Sequence, residues 1–135
     1  MVACQIVMDA MERIAPRALA EEWDNVGLML GSNDWPVGKV MLALDLTEEV
    51  ASQAYAQKAD MIITHHPFFF SPIKKLVCNE GKNALVYELI RNKIAVYSAH
   101  TNLDSAKGGV NDVLAALLGL RQTEILKPVF CDKYY

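Results

Sequence analysis

Short apolar runs alternate with amphipathic stretches along this chain, and that alternation decides what it can fold into. Val26 to Leu30, Lys39 to Asp45 (KVMLALD), Met61 to Thr64 (MIIT) and Ile94 to Ser98 (IAVYS) have the length and composition of strands. Between them, apolar residues recur at helical spacing. Ile6, Val7, Ala10, Met11 and Ile14 share one face of a predicted helix from Val2 to Ile14, closed by Pro16. Thr47 caps a second helix running to about Lys58, with Glu48 and Glu49 in the first turn, where the helix dipole favours acids. Leu85, Val86, Leu89 and Ile90 mark a third over Asn83 to Asn92, and Val110 to Leu118, stopped by Gly119, reads as a fourth. Ser32 to Gly38, Phe68 to Lys75 and Thr101 to Gly109 read as loops. Strands alternating with helices predict βαβ units. The expected fold class is α/β: a mostly parallel sheet flanked by helices, its strands apolar enough to be covered on both faces.

At 135 residues the chain buries roughly two-thirds of its unfolded surface, enough for one core without staples. A single domain over 1–135 is expected. Hydrophobic residues make up 53% and charged residues 21%, which excludes a disordered chain. No apolar run approaches the ~18 residues of a membrane helix. Asp9 and Glu12 inside the first apolar stretch argue against a signal peptide. A net charge of −3 counts against a nucleic-acid backbone binder. Cys4, Cys78 and Cys131 are odd in number, far apart and lack a C-x-x-C pair. They read as small buried hydrophobes in a reducing cytoplasm, not as a disulfide framework or a thiolate zinc site. Trp23 and Trp35 read as core or interface anchors, and Phe68-Phe69-Phe70 as packing in preference to base stacking.

In open α/β sheets, ligands bind beyond the carboxyl ends of the strands. All three histidines fall there: His65 and His66 directly after MIIT, His100 after IAVYS. Asp45 ends KVMLALD, and Asp104 lies four residues past His100. Parallel strands bring these five residues to one edge of the sheet, while Asp60 falls at the opposite edge as a turn residue. Imidazole and carboxylate together suit Zn²⁺, Fe²⁺, Mn²⁺ or Ni²⁺. Adjacent histidines point to opposite faces of a regular strand. His65 and His66 serve one site only where the strand ends, and Pro67 supplies such a break. Two ions about 3.5–4 Å apart would use the pair naturally. Structural readings stand beside these: the histidine pair as ordinary surface residues, His100 hydrogen-bonded to the Asp104 loop, and Asp104 as an Asx turn or cap. Asp45 reads as a residue that orients a ligand or begins a helix. Gly108-Gly109 would let the backbone approach a phosphate, though no P-loop pattern surrounds them.

WDNVGL (Trp23 to Leu28), LALDLTEEV (Leu42 to Val50), IITHHPFFF (Ile62 to Phe70) and AHTNLDSAKGGVND (Ala99 to Asp112) follow in a specific order and spacing. Over Ile6 to Leu126 the chain resembles the N-terminal half of the dinuclear-metal GTP cyclohydrolase 1 type 2 homologs, the NGG-interacting-factor-three-like family. The resemblance implies the N-terminal half of a two-lobed α/β core, in proteins that assemble into a ring-shaped homohexamer. It implies His65, His66 and Asp104 as metal ligands, with His100 lining the site as the candidate catalytic group for proton transfer or substrate orientation. It implies a cytoplasmic, divalent-metal-binding protein, a metal-dependent hydrolase of a small molecule such as a phosphate ester or ring amide, with no nucleic acid or membrane partner. A non-enzymatic metal carrier or regulatory interaction protein is the alternative. The family completes its two-metal site with His-x-x-x-Glu on one helix face in its C-terminal half. This sequence has no histidine after His100, and Cys131 to Tyr135 reads as the start of a strand. A truncated chain lacking that half is therefore expected, binding at most one ion.

Overall fold

A computed structural model describes residues 1–79 and 81–127. Its main sheet comprises β2 (Gly27–Leu30), β4 (Val40–Ala43), β5 (Met61–Thr64) and β6 (Ala95–Ser98), ordered β2-β6-β5-β4. β4, β5 and β6 run parallel, with Ala43, Thr64 and Ser98 in register at their carboxyl ends. The α/β fold class and the mostly parallel sheet are thus as the sequence indicates. β2 pairs antiparallel with β6, and the register shifts between Leu28 and Leu30.

Strand alternation sorts the core into two layers. Ile62, Val96 and Leu30 face α2 (Glu48–Gln57) and α3 (Gly81–Arg91), packing on Ala51, Ala54, Val86 and Leu89. Met61, Ala95 and Tyr97 face the other way, against Cys4, Val7, Met8 and Met11 of α1 (Cys4–Ile14). Thr47 caps α2 as its position suggests, its Oγ1 accepting from the Val50 N–H at 3.2 Å. Asp60 clamps the turn at the far edge, its Oδ2 accepting from the Gly38 and Lys39 N–H groups, each at 2.8 Å.

Several expectations need correction. Val2–Ala3 is not helical but forms a short strand, β1, antiparallel to β3 (Pro36–Val37). The carbonyls of Trp35 and Asn33 then accept the Cys4 and Gln5 N–H groups that begin α1. This satisfies donors that the first helical turn leaves open. Thr101–Ser105, expected as loop, is a short helix, α4, joined through Gly108-Gly109 to α5 (Val110–Leu117). Cys4 is fully buried, and burial pushes its thiol above the ordinary range. Cys78 is exposed, in a run from Ser71 to Asn79 that no element covers. Cys131 and the expected strand start at Cys131 to Tyr135 lie outside the described residues. Trp35 packs half-buried on the second core layer, but Trp23 is 59% exposed and anchors no core. Among the described residues, no helix is long and apolar enough to cross a membrane.

Candidate metal centre

The carboxyl ends of β5 and β6 deliver the three histidines. Beyond Thr64 the chain leaves the strand at once: the Thr64 hydroxyl donates to the His66 carbonyl at 2.8 Å, closing a tight turn. The His65 and His66 N–H groups bond back to the Ala43 and Leu44 carbonyls. The turn brings two successive imidazoles to one side. His65 and His66 have ring centroids 5.1 Å apart, and His100 sits 5.2 Å from the first and 5.6 Å from the second. One ring nitrogen from each of the three lies within 4.8 Å of the others.

Each Nδ1 is held by an acceptor. His65 Nδ1 meets the Ala99 carbonyl at 2.9 Å, His66 Nδ1 meets Asp45 Oδ1 at 2.8 Å, and His100 Nδ1 meets Asp24 Oδ1 at 3.0 Å. Carbonyls and carboxylates only accept, so each Nδ1 carries the proton and donates. In each neutral ring the lone pair is then on Nε2. This arrangement fixes tautomer and orientation in metal-ligating histidines. Asp104, at the end of the first turn of α4, places Oδ1 3.5 Å from His65 Nε2. His65, His66 and His100 make up the converging group, and three imidazoles fit a divalent transition-metal ion; Asp104 stands beside His65 and is not part of that group.

Asp24 is the group that local sequence patterning does not pick out. Its carboxylate is wholly buried, 76 residues from His100 in sequence. Oδ2 accepts from both the N–H and the hydroxyl of Thr101. Burial alone would raise its pKa; the bonds from His100, Thr101 and the Asn25 N–H outweigh burial and hold it below the usual carboxylate range. The His100 ring therefore bonds to Asp24, while its backbone bonds the Asp104 segment, the His100 carbonyl accepting from the Leu103 and Asp104 N–H groups. Asn102, fully buried, adds a second anchor: Oδ1 accepts from the His100 N–H, and Nδ2 donates to the Ala15 carbonyl. Asp45 bonds His66 and so orients it. A side chain at Gly109 would meet the Leu103 and Ala106 carbonyls, so glycine there serves internal packing, whereas Gly108 faces open space.

Fold and cluster together define an α/β protein with histidines at its strand ends, able to ligate a metal ion. Residues 2–132 match the family model for Duf34/NIF3 (NGG1p interacting factor 3), and the chain belongs to that family. It is 43% identical over 124 residues to a GTP cyclohydrolase 1 type 2 homolog of Listeria innocua, covering 92% of this chain and 33% of that one. A Bacillus subtilis protein of the same name is 41% identical over 128 residues, covering 95% and 34%. Among solved structures, a Bacillus cereus protein related to NIF3 superposes with a TM-score of 0.88 at 43% identity, over 95% of this chain and 35% of that one. Reduced HcgD from Methanocaldococcus jannaschii gives 0.85 at 36% identity, over 93% and 50%. The chain thus spans a third to a half of the length of these relatives.

Proposed function

We propose that this chain binds a divalent ion (zinc, iron, manganese or nickel) through His65, His66 and Asp104, and that the site hydrolyses a small-molecule substrate. The observation that carries this reading is the common anchoring of three converging imidazoles, each with Nδ1 engaged by an acceptor, and with Asp104 beside His65 Nε2. A bound ion supplies Lewis acidity to a substrate oxygen and eases deprotonation of water. Asp45 and the Ala99 carbonyl keep the ligand rings from rotating. His100, held by Asp24, presents Nε2 for proton transfer or for orienting the substrate. The name shared by the relatives, a GTP cyclohydrolase homolog, supports the hydrolytic part.

Chain stripped with chelator and reloaded with Zn²⁺ or Mn²⁺ is expected to hold one ion per chain by elemental analysis. At a metal concentration of about 100 times Kd the bound ion adds about 2.7 kcal/mol of stability. His65→Ala/His66→Ala removes both effects, and Asp45→Ala weakens affinity about 10–100-fold. Equal metal uptake by the native chain and the double variant would overturn the ligand assignment. Loaded chain should hydrolyse p-nitrophenyl phosphate or a ring amide in a His66-dependent way; tight metal uptake without such turnover would assign it instead to the carriers.

The proposal extends to self-association. Leu42 and Leu44, at the β4 edge, are 76% and 61% exposed, and Leu117 and Leu118, at the end of α5, are 79% and 67% exposed. Apolar surface this open marks contact sites. Light scattering is expected to show two or more chains per particle, and a monomer at high concentration would remove the homo-oligomer from the reading.

A further inference from the structure

Two exposed aromatic rings adjoin the histidine cluster. Trp23 is 59% exposed and Phe70 58% exposed, with ring centroids 5.9 Å apart. The Trp23 indole meets the His100 ring edge-on at 6.3 Å. An isolated surface aromatic needs no explanation, but these two touch each other and sit on loops that their neighbours pin. Asp24, next to Trp23, is fixed to His100 and Thr101. Asn25 reaches across with Nδ2 donating to the Phe69 carbonyl at 2.6 Å, tying the two ring-bearing loops together. Lys82 Nζ donates to the Phe68 carbonyl and lies 4.3 Å over the Phe68 ring. Phe68 itself is buried.

The surroundings of the two rings differ in kind from the other side of the cluster. Beyond Phe70 opens a cavity of about 470 Å³ lined by Asn25, Phe69, Pro72 and Ile73. This is within the range of about 300–1,000 Å³ typical of small-molecule sites. The cavity beside His66, of about 340 Å³, is lined by Asp45, Thr47, Glu48 and Lys82. Polar groups of a ligand suit the second cavity, and a flat apolar group suits the first.

We propose that Trp23 and Phe70 form a stacking shelf that seats a planar aromatic ring of the molecule processed at the histidine cluster. The shelf rests on the proposed function for its neighbour but makes its own physical claim. The loops that carry the rings are already pinned through Asp24 and Asn25, so a stacking ligand has less of the chain to order. The rings are tilted by 44° and not stacked face to face, and each is more than half exposed. Packing alone, the reading first given to the phenylalanine run, accounts for Phe68 but not for Phe70.

The test compares 2-naphthoate with decahydro-2-naphthoate by calorimetric titration, in metal-free and zinc-loaded chain. Both acids carry the same carboxylate, so their difference reports the ring. The aromatic acid is expected to bind about tenfold tighter or more. Trp23→Leu and Phe70→Leu should each erase most of that preference, while Trp23→Phe keeps it. The two leucine variants lie on separate loops, so misfolding of one leaves the other decisive. Equal affinity for both acids overturns the shelf, as does a preference that survives in both leucine variants. Dissociation of an oligomer by Trp23→Leu would also overturn it, assigning the rings to a subunit interface. Zinc uptake separates the two proposals: a preference for 2-naphthoate in a chain that takes up no zinc leaves the shelf standing and removes the metal site.

Discussion

Asp24→Ala is expected to destabilise the chain by about 3–5 kcal/mol, the range for removing one partner of a buried ionic network. Thermal melting should fall by roughly 10–20 °C. The carboxylate receives the Thr101 N–H, the Thr101 hydroxyl and His100 Nδ1, and all three lose this acceptor in the variant. Asp24→Asn should recover only part of the loss, because one end of the amide presents a donor to donors. The pH dependence follows from the direction of the shift. The folded-state pKa lies below the ordinary carboxylate value. Asp24 therefore adds stability that is fully present above the unfolded-state pKa and fades as pH falls through the folded one. Denaturant melts of the native chain and Asp24→Asn should differ most near neutrality and converge in acid. A constant difference across that range would show that the charge of Asp24 contributes nothing.

The strand ends were legible because their chemistry is local. MIIT and IAVYS are apolar enough to be recognised without knowing their neighbours, and parallel pairing puts His65, His66 and His100 on one edge of the sheet. Asp45 follows from the same rule, and its bond to His66 was the orienting role its position suggested. Asp24 was not legible because its partners are 76 and 77 residues away in sequence. α4 was hidden for a related reason. Five residues show no periodicity, and the helix is held by Asp24 and Asn102, not by an apolar stripe of its own. Parallel and antiparallel partners impose nearly the same composition on a buried strand, so the direction of β2 against β6 could not be read from GLML. The β1–β3 pair is only two residues long, and a pairing that short depends on the α1 start it caps, not on any propensity of Val2 or Pro36.

The glycine pair before α5 offers a test in which two physical effects predict opposite rankings. Gly108 has φ +74°, a left-handed conformation, but a side chain there would meet open space. Gly108→Ala is therefore expected to cost about 1–2 kcal/mol from backbone conformation alone. Gly109 has ordinary extended backbone with φ −78°. A Cβ at that position would collide with the Leu103 carbonyl oxygen and stand 2.7 Å from that of Ala106. Both are backbone atoms, so no side chain can rotate out of the way. Gly109→Ala is expected to cost at least about 3 kcal/mol, the upper end for overpacking. The relief available is a shift of Leu103, which neighbours Asp104 on α4. Zinc affinity should then fall together with stability, whereas in Gly108→Ala it should stay near the native value. If Gly108→Ala proves the more damaging of the two, α4 is not wedged against Gly109, and the placement of Asp104 beside His65 must be secured by Asp24 and Asn102 alone.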